Sequence, residues 1–396
     1  MNNVPNLRFK EFQGEWEVES IKDVADFMGG GTPSSSNESF WQGTIPWVSS
    51  SDIVENDIKN ISISRYITEE AVAHSATKLC PAPSILIVSR VGVGKIALSK
   101  EAICTSQDFC NLVNIKVDPI FLTYCLSQIM KRKSMEVQGT SIKGITISEI
   151  QKISINIPSL QEQKKIGKIL SLLDERIATQ NKIIDKLQSL IKGLNNSLYA
   201  QYGGKVLTSF AELGTSYSGL FGKSAQDFGS GKPFITYLNV YSNNVINEND
   251  FQYVAIKDGE KQNVAEYGDV LFTLSSETPK EVGIGSVYLG KEKVYLNSFC
   301  FGIHITNTEV AFPPFLSYYV SSTAFRKFIY PYAQGSTRFN LCKADFEKAS
   351  IKLPTLEKQK RIYSILSHID SKIETERQML DLYNSQKQYL LRHMFI

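Results

Sequence analysis

The sequence predicts an α/β (α+β) protein in which two tandem, pseudo-twofold-related domains are separated by two long helices that form an antiparallel coiled coil. Three observations predict this fold. A ten-residue segment occurs twice at a spacing of roughly half the chain, each copy begins a long stretch of heptad-spaced apolar residues, and short β-rich runs precede each copy. We place the two domains at 1–157 and 203–353, and the two helices at 158–202 and 354–396.

Composition indicates a folded protein with more than one domain. The chain has 396 residues, and its hydrophobic content of 42% excludes a disordered or collagen-like chain. Lys and Arg number 43 against 40 Asp and Glu, so the net charge of +3 does not by itself require a polyanionic partner. The six cysteines form no CxxC pair, which argues against a zinc site or a disulfide framework. Without an apolar signal-peptide or membrane-length run, we expect a cytoplasmic protein with no membrane partner.

The internal repeat is the most informative feature. Residues 157–166 read IPSLQEQKKI and reappear at 353–362 as LPTLEKQKRI, an offset of 353 − 157 = 196. Toward the N-terminus of each half the offset changes. Val-Gly-Val-Gly at 91–94 aligns with Val-Gly-Ile-Gly at 282–285, which is an offset of 282 − 91 = 191. A unit of this size that occurs twice indicates a duplicated domain pair and not a solenoid.

Each copy of the repeat begins a long helix. Ser159 and Glu162 have capping-box spacing at the start of the first helix, and Gly203-Gly204 marks its end. Apolar residues then recur at alternating steps of four and three, as in a coiled coil, while Gln180 and Glu376 are polar positions that would fix the register. Because both copies share one register, we favour pairing of the helices with each other over packing of each helix on its own domain. The second helix could return parallel or antiparallel to the first, and we favour antiparallel pairing, which would relate the two halves by a pseudo-twofold axis. The predicted seam consists of Ile166, Leu170, Leu173, Ile177, Gln180, Ile184 and Leu187 in the first helix and of Ile362, Leu366, Ile369, Ile373, Glu376 and Leu380 in the second.

The stretches before the two helices predict mixed structure with a twisted, mostly antiparallel or mixed sheet. Short β-rich runs alternate with glycine-rich loops. Helices are expected at 120–131 and 314–329. The expected strands are 84–89, 96–98, 111–116, 269–274, 286–289 and 301–305.

No enzyme motif is complete in the sequence. Gly222-Lys223-Ser224 resembles the end of a phosphate-binding loop, but Tyr217 stands where the first glycine is needed, and Gly92-Val93-Gly94-Lys95 lacks that glycine as well. The segment Phe312-Pro313-Pro314-Phe315 lacks the side-chain oxygen that an amino-methyltransferase uses to bind the substrate amine. We therefore expect no catalytic residue and no metal site in this chain.

Polar and basic residues suited to recognition remain. Short polar loops follow a glycine at equivalent positions of the two halves, basic residues lie near both Val-Gly-x-Gly segments, and an aromatic–basic cluster occupies 217–223. Hydroxyls, amides and cations of this kind can hydrogen-bond phosphates and base edges. The candidate contacts are Arg90, Lys95, Thr140, Ser141, Lys143, Tyr217, Lys223, Lys280, Ser336, Thr337, Arg338 and Asn340.

Together these features resemble the specificity (S) subunit of type I restriction–modification systems. The repeated helix-start segment, its Leu-Ser-x-x-Asp continuation at 169–174 and 365–370, and Gly30-Gly31-Thr32-Pro33-Ser34 give the resemblance, which covers essentially the whole chain. The second half departs from the pattern at 218–222, which lacks the Thr-Pro-Ser sequence. The resemblance adds Thr32 and Ser34 to the candidate contacts.

The resemblance implies a non-catalytic subunit that binds double-stranded DNA. Each variable domain would be a target-recognition domain for one half of a bipartite sequence, and the helices would act as a ruler that sets the unread spacer. The helices would also dock two methyltransferase (modification) subunits and two restriction (translocase–nuclease) subunits, which would bind S-adenosylmethionine, ATP and Mg in place of this chain. A protein-binding scaffold that does not touch DNA and a self-sufficient methyltransferase or NTPase stay open as alternatives.

Overall fold

The computed structural model describes residues 3–138 and 144–396 and divides into two compact units. One unit comprises Met1–Asn181 and Met379–Ile396, and the other comprises Lys182–Gln378. Each unit therefore combines one α/β domain with segments of both long helices. The unit boundaries lie inside the helices, whereas the sequence placed domain boundaries at the helix ends. None of the described helices is long and apolar enough to cross a membrane.

Among its described residues, the first unit contains ten strands, four short or medium α-helices and the start of a long helix. Its strands are β1 Glu17–Ser20, β2 Asp26–Gly29, β3 Ile45–Val48, β4 Arg65–Ile67, β5 Leu79–Cys80, β6 Ser84–Val88, β7 Ile96–Ser99, β8 Ile103–Thr105, β9 Phe109–Val113 and β10 Ser154–Ile157. Its helices are α1 Ile21–Val24, α2 Glu69–Ala73, α3 Pro119–Gln138 and α4 Ile147–Gln151, followed by α5 Leu160–Tyr202, which continues into the second unit.

Strand β6 is central to the first unit. It lies in the antiparallel sheet β2-β9-β6-β7, beside a second sheet of order β4-β3-β8-β5 in which β3 and β8 are parallel. Because side chains alternate along a strand, Ile85 and Ile87 join the core that contains Phe121 of α3, and Leu86 and Val88 join a second core on the opposite face. Burial of both faces explains why this segment reads as a continuous apolar run.

The second unit repeats the same plan with additional strands. Its strands are β11 Val206–Thr208, β12 Gly214–Ser218, β13 Phe228–Ile235, β14 Gln252–Val254, β15 Val270–Thr273, β16 Ser275–Ser276, β17 Gly285–Val287, β18 Tyr295–Leu296, β19 Cys300–Ile305, β20 Ala333–Gln334, β21 Phe339–Leu341 and β22 Ile351–Leu353. Its helices are α6 Phe210–Leu213, α7 Tyr237–Ser242, α8 Pro313–Ser321, α9 Thr323–Ile329 and α10 Lys343–Lys348, followed by α11 Leu356–His393, which ends in the first unit.

The sheets of the second unit match those of the first where the sequences repeat. Its main sheet has the order β12-β19-β15-β17, which corresponds to β2-β9-β6-β7, and the pair β11-β22 corresponds to the pair β1-β10. Two further three-stranded sheets are β14-β13-β18 and β16-β21-β20. The predicted helix at 314–329 is wrong in one respect, because it is two helices divided at Ser322. Ser322 ends α8 in an extended conformation, and its hydroxyl accepts a hydrogen bond from the amide of Phe325 to cap α9.

Helix α5 begins and ends where the sequence predicts. The amide of Glu162 donates a hydrogen bond to the hydroxyl of Ser159 at 3.4 Å, and the amide of Gly203 donates to the carbonyl oxygen of Tyr199 at 2.7 Å. Capping of this kind satisfies backbone groups that have no partner within the helix. The capping signals in the sequence therefore determined the extent of α5.

Within each unit the segments of α5 and α11 run antiparallel. In the first unit, Asp174 of α5 pairs with Lys387 of α11 at 2.6 Å. Nearer the start of α5, Glu162 pairs with Arg8. The amide of the neighbouring Leu7 donates a hydrogen bond to the carbonyl oxygen of His393, at the end of α11. In the second unit, Ile362 and Leu366 share a core with Leu194 and Leu198. Of the predicted seam, Ile166, Leu170, Leu173, Gln180, Ile184, Ile362, Leu366 and Ile373 are buried, and Ile177, Leu187, Ile369, Glu376 and Leu380 are half-buried.

A buried glutamine anchors each domain to its helix in the same way. Gln163 donates from Nε2 to the carbonyl oxygen of Pro158 at 2.8 Å and accepts from the amide of Asp118 at 2.8 Å. In the second unit, Gln359 donates to Pro354 and accepts from the amide of Phe312, each at 2.8 Å. The repeated Gln-Lys motif thus includes a side chain that joins the last strand, the helix start and the preceding α/β domain.

Candidate nucleic-acid interface

A cavity in the first unit opens where β6 ends. Its walls come from the end of β2, the start of β9 and the segment before α4, and its volume is about 580 Å³. Arg90, which lies two residues after β6, is exposed at this cavity. The lining residues are Gly29, Gly30, Ser89, Arg90, Gln107, Phe109, Gly144, Ile145, Thr146 and Ile147.

Backbone hydrogen bonds join three chain segments at this cavity. The amide of Ser89 donates to the carbonyl oxygen of Asp108 at 2.8 Å, and the amide of Ile145 donates to the carbonyl oxygen of Ser89 at 2.7 Å. A fourth segment carries Thr32, an exposed residue whose hydroxyl donates to Oε1 of Gln107. Side chains from four separate parts of the sequence therefore meet on one surface.

The second unit builds the same junction. The amide of Leu274, directly after β15, donates to the carbonyl oxygen of Phe299 at 2.9 Å, and the amide of Leu341 donates to the carbonyl oxygen of Leu274 at 2.9 Å. Leu341 and Ile145 are separated by 341 − 145 = 196 residues, and Phe299 and Asp108 by 299 − 108 = 191 residues. These are the two offsets of the internal repeat, whereas Ser89 and Leu274 are separated by 274 − 89 = 185 residues. The same three segments therefore meet in both units, although the chain between them differs in length.

A larger cavity, of about 860 Å³, lies at the junction of the second unit. It is bordered by α7, β16, the segment before β19 and the loop between β20 and β21. That loop requires glycine at Gly335, where φ is +145° and a Cβ atom would lie 2.1 Å from the carbonyl oxygen of Arg338. The lining residues are Tyr237, Leu238, Tyr241, Ser275, Ser276, Glu277, Glu281, Phe299, Thr337 and Arg338.

Glu281 presents a fixed carboxylate in the second cavity. The hydroxyl of Tyr241 donates to its Oε1 at 2.8 Å, and the hydroxyl of Ser276 donates to its Oε2 at 2.9 Å. These hydrogen bonds hold the pKa of Glu281 below its ordinary value, and the one from Tyr241 has the largest effect. The carboxylate is therefore ionised at neutral pH. Since each carboxylate oxygen has two lone pairs, both oxygens can accept a further hydrogen bond.

A guanidinium and several aromatic rings accompany this carboxylate. The guanidinium of Arg338 lies 5.7 Å from the ring centroid of Phe299, and its Nη2 is 3.4 Å from the hydroxyl of Ser275. Phe299 is exposed, and the rings of Tyr237 and Tyr241 stack with centroids 6.1 Å apart. The cavity therefore contains a guanidinium that donates hydrogen bonds, a carboxylate with two acceptor oxygens, and the faces of aromatic rings. Groups of these kinds recognise nucleic-acid bases.

The structure brings several of the sequence-predicted contacts to these two cavities. Arg90, Thr337 and Arg338 line them. Thr32, Lys280, Ser336 and Asn340 are exposed on the bordering segments. Thr140, Ser141 and Lys143 lie outside the described residues.

The predicted aromatic–basic cluster at 217–223 is wrong as a surface site. Tyr217 is buried, its hydroxyl donates to Oδ2 of Asp269 at 2.7 Å, and its ring stacks on His304 with centroids 4.3 Å apart. Lys223 is also enclosed, because its side chain is only 5% exposed and its Nζ is paired with Glu260 at 2.7 Å. Pairing of β12 with β19 turns Tyr217 inward, whereas Lys223 lies in the loop after β12 and is held by Glu260 and the carbonyl oxygen of Ala255. The local sequence revealed neither contact.

Two other candidates lie apart from the cavity of the first unit. Nζ of Lys95 donates to the carbonyl oxygen of Ser50 at 3.1 Å, and this lysine lines a separate cavity of about 190 Å³. The hydroxyl of Ser34 is 2.8 Å from that of Ser36 in an exposed turn. Neither residue is among those that line the junction after β6.

Glu281, Tyr241 and Phe299 were missed from the sequence. One signal for Glu281 was available, because the offset of 191 that aligns the two Val-Gly-x-Gly segments also places Glu281 opposite Arg90 (90 + 191 = 281). Phe299 lies opposite Asp108 at the same offset (108 + 191 = 299), so the repeat gave no signal for its aromatic ring. Tyr241 lies in a stretch without a matching repeat, so its approach to the site required the tertiary structure.

The duplicated cavity agrees with a duplicated family match. The family model for the type I restriction modification DNA specificity domain matches residues 13–189 and 216–382. The chain belongs to this family. Its two type I specificity domains coincide with the two halves of the internal repeat, and each match includes one of the two cavities.

Proteins and structures similar to this chain include specificity subunits of type I systems. Over 183 residues it is 33% identical to the type I restriction enzyme MjaIX specificity subunit of Methanocaldococcus jannaschii, a match that covers 44% of this chain and 42%, less than half, of that relative. A putative type I restriction enzyme MjaX specificity subunit from the same organism is 25% identical over 412 residues, which covers 95% of this chain and 91% of that protein. The crystal structure of the type I restriction–modification S subunit from M. genitalium shares the fold, with a TM-score of 0.58, 16% identity and 99% coverage of both chains.

Proposed function

We propose that this chain is the non-catalytic DNA specificity subunit of a type I restriction–modification complex. In this proposal each α/β domain reads one half of a bipartite sequence in double-stranded DNA. The duplicated cavity is the observation that supports it, because both units place polar and charged side chains at the same junction of the repeated fold. Side chains of this kind position phosphates and read base edges.

Catalysis then belongs to partner subunits. The relative with 33% identity is named as a specificity subunit of a type I restriction enzyme, so it is one component of a larger enzyme. We assign S-adenosylmethionine to two methyltransferase subunits, which flip the target adenine, and ATP and Mg to two restriction subunits of a cytoplasmic complex. Exposed apolar side chains on the long helices support docking of these partners. They include Ile169, Leu172, Leu190 and Leu382.

A domain exchange tests whether each domain recognises one half of the DNA sequence. Residues 12–157 would be replaced by the corresponding domain of another specificity subunit, and methylated adenines would be mapped in cells that also contain the methyltransferase. We expect one half of the methylated sequence to change and the other half to stay. The matched exchange of residues 205–353 should change the other half only. An unaltered sequence after both exchanges, or DNA affinity that is negligible and insensitive to salt, would instead indicate a protein-binding scaffold.

The long helices supply a second test. We propose that their length sets the number of unread base pairs, because α5 extends over 43 residues, or about 65 Å at ~1.5 Å per residue. Insertion of four residues after Gln188 disturbs the heptad phase and should alter or abolish the spacing of the two half-sites. An insertion of seven residues keeps the heptad phase and lengthens the helix by about 10 Å at ~1.5 Å per residue, so it should lengthen the unread spacer. If the four-residue variant methylates sites with the original spacer, the helices do not act as a ruler.

A further inference from the structure

The two cavities contain residues of opposite charge beside the repeated Val-Gly-x-Gly segments. Arg90 directly precedes Val-Gly-Val-Gly in the first unit, and Glu281 directly precedes Val-Gly-Ile-Gly in the second. Both residues line the cavity of their unit. Each Val-Gly-x-Gly segment is therefore preceded by a charged residue that lines the cavity, and the two charges are opposite.

A carboxylate at a DNA-binding surface cannot serve to hold phosphates, because like charges repel. Glu281 is nevertheless held in a defined place by Tyr241 and Ser276, at 2.8 and 2.9 Å. Two hydroxyl donors on one carboxylate limit its rotation, and the remaining lone pairs point to whatever occupies the cavity. A fixed acceptor of this kind suits the exocyclic amine of a base.

Cytosine fits this acceptor better than adenine does. Cytosine presents only its N4 amine in the major groove, whereas adenine presents N7, an acceptor, beside its N6 amine. An ionised carboxylate is repelled by that N7. Glu281 therefore favours a cytosine, and the G·C pair that contains it.

Arg90 has the opposite preference among base edges. A guanidinium can donate two parallel hydrogen bonds to O6 and N7 of guanine, which is the commonest specific contact in the major groove. Arg90 is exposed at the rim of its cavity, where a long side chain can reach a base edge. Guanine is thus the matching base for the first unit.

We propose that Arg90 and Glu281 are specificity-determining residues: Arg90 reads a guanine in the half-site of the first domain, and Glu281 reads a cytosine in the half-site of the second. This inference rests on the proposed function, since it names the bases that the two cavities recognise. It predicts that the charged residue before each Val-Gly-x-Gly segment discriminates bases in its own domain, with opposite hydrogen-bonding character in the two domains.

Glu281→Gln tests the proposal, because glutamine keeps the shape of the side chain and prefers adenine, to which it can both donate and accept. The chain in complex with its methyltransferase subunits would be assayed on duplexes that carry each base pair at every position of both half-sites. The wild type should favour cytosine at one position of the second half-site by about 10- to 100-fold. The variant should shift that single position toward adenine and leave the first half-site unchanged. Arg90→Gln should shift one guanine position of the first half-site in the same way.

Glu309→Gln is the matched control, since Glu309 is an exposed carboxylate of the same unit that does not line the cavity. It should leave all base preferences intact. If Glu281→Gln fails to assemble, Glu281→Ala and Tyr241→Phe take its place: the first should abolish the cytosine preference, and the second should weaken it without changing the preferred base.

The outcomes separate this inference from the proposed function. If Glu281→Gln or Glu281→Ala keeps the wild-type base preference at every position of the second half-site, Glu281 does not have the proposed role. Bipartite methylation by the wild type would in that case still support a specificity subunit. A wild-type complex that methylates no bipartite sequence overturns the proposed function, and with it this inference.

Discussion

The phenolic hydroxyl of Tyr124 donates a hydrogen bond to Oδ2 of Asp174 at 2.5 Å. Tyr124 belongs to α3 and is buried, whereas Asp174 lies in α5 and also pairs with Lys387 of α11 at 2.6 Å. In the second unit, Tyr318 of α8 bonds Asp370 of α11. A tyrosine–aspartate bond therefore attaches each α/β domain to a long helix.

Removal of this bond should destabilise the protein. Tyr124→Phe deletes a buried hydrogen bond to a charged group, for which we expect a loss of about 1.5–3 kcal/mol in the free energy of unfolding. Denaturant unfolding would measure it. Tyr389→Phe is the control, because Tyr389 is 55% exposed and its replacement should cost much less. Equal stabilities of the two variants would show that the Tyr124–Asp174 bond contributes nothing.

The buried glutamines predict a larger effect. Gln163→Ala leaves the carbonyl oxygen of Pro158 and the amide of Asp118 without the partners they have in the wild type, so we expect a loss of about 2–4 kcal/mol. Gln161→Ala, at an exposed position in the same helical turn, should lie within about 0.5 kcal/mol of the wild type. Thermal and denaturant unfolding would compare them. If both variants unfold alike, the buried amide does not anchor the domain.

The ion pair between Lys223 and Glu260 predicts a pH dependence. Hydrogen bonds from Lys223, from the amide of Lys257 and from Gln262 lower the pKa of Glu260 to about 2, against 4.5 for the free side chain. Because the folded pKa lies below the unfolded pKa, Glu260 contributes stability above pH 4.5 and loses it as the pH falls toward about 2. Glu260→Gln should thus be less stable than the wild type at pH 7 and equally stable near pH 2.

Unfolding curves at several pH values would measure this difference. Lys223→Met removes the donor that lowers the pKa of this carboxylate most, and it should show the same convergence at low pH. A stability difference between wild type and Glu260→Gln that stays constant from pH 7 to pH 2 would contradict the assignment.

Gly335 predicts a defect confined to the second half-site. In Gly335→Ala the new Cβ would lie 2.1 Å from the carbonyl oxygen of Arg338, in a backbone conformation that L side chains rarely adopt. The loop that carries Thr337 and Arg338 must shift, so we expect DNA affinity of the complex to fall by about 10-fold or more. Gly259→Ala is the control, because Gly259 also has a positive φ but a Cβ atom there would have no neighbour within 4 Å. Titration of labelled duplexes would distinguish the two variants, and equal affinities would show that the loop does not contact DNA.

Local signals predicted the helices better than the sheets. The capping residue Ser159 and the terminal Gly203 act within one helical turn, so the bounds of α5 could be predicted to within a residue or two. Strand β9 was expected at 111–116 but runs over Phe109–Val113, because the extent of a strand depends on its partners. The break at Ser322 was missed since apolar residues continue on both sides of it.

The sequence by itself determined the duplication, the start and register of both long helices, and three residues that line the cavities: Arg90 in the first unit, and Thr337 and Arg338 in the second. Repeats, caps and heptads are periodic or local, and they can be read without knowing which segments meet. Tertiary structure alone decided that Tyr217 and Lys223 turn inward and that Tyr241 holds Glu281 from a position 40 residues away. Pairing between distant strands and helices sets these contacts, and pairing depends on the packing of whole faces and not on the residues beside each position.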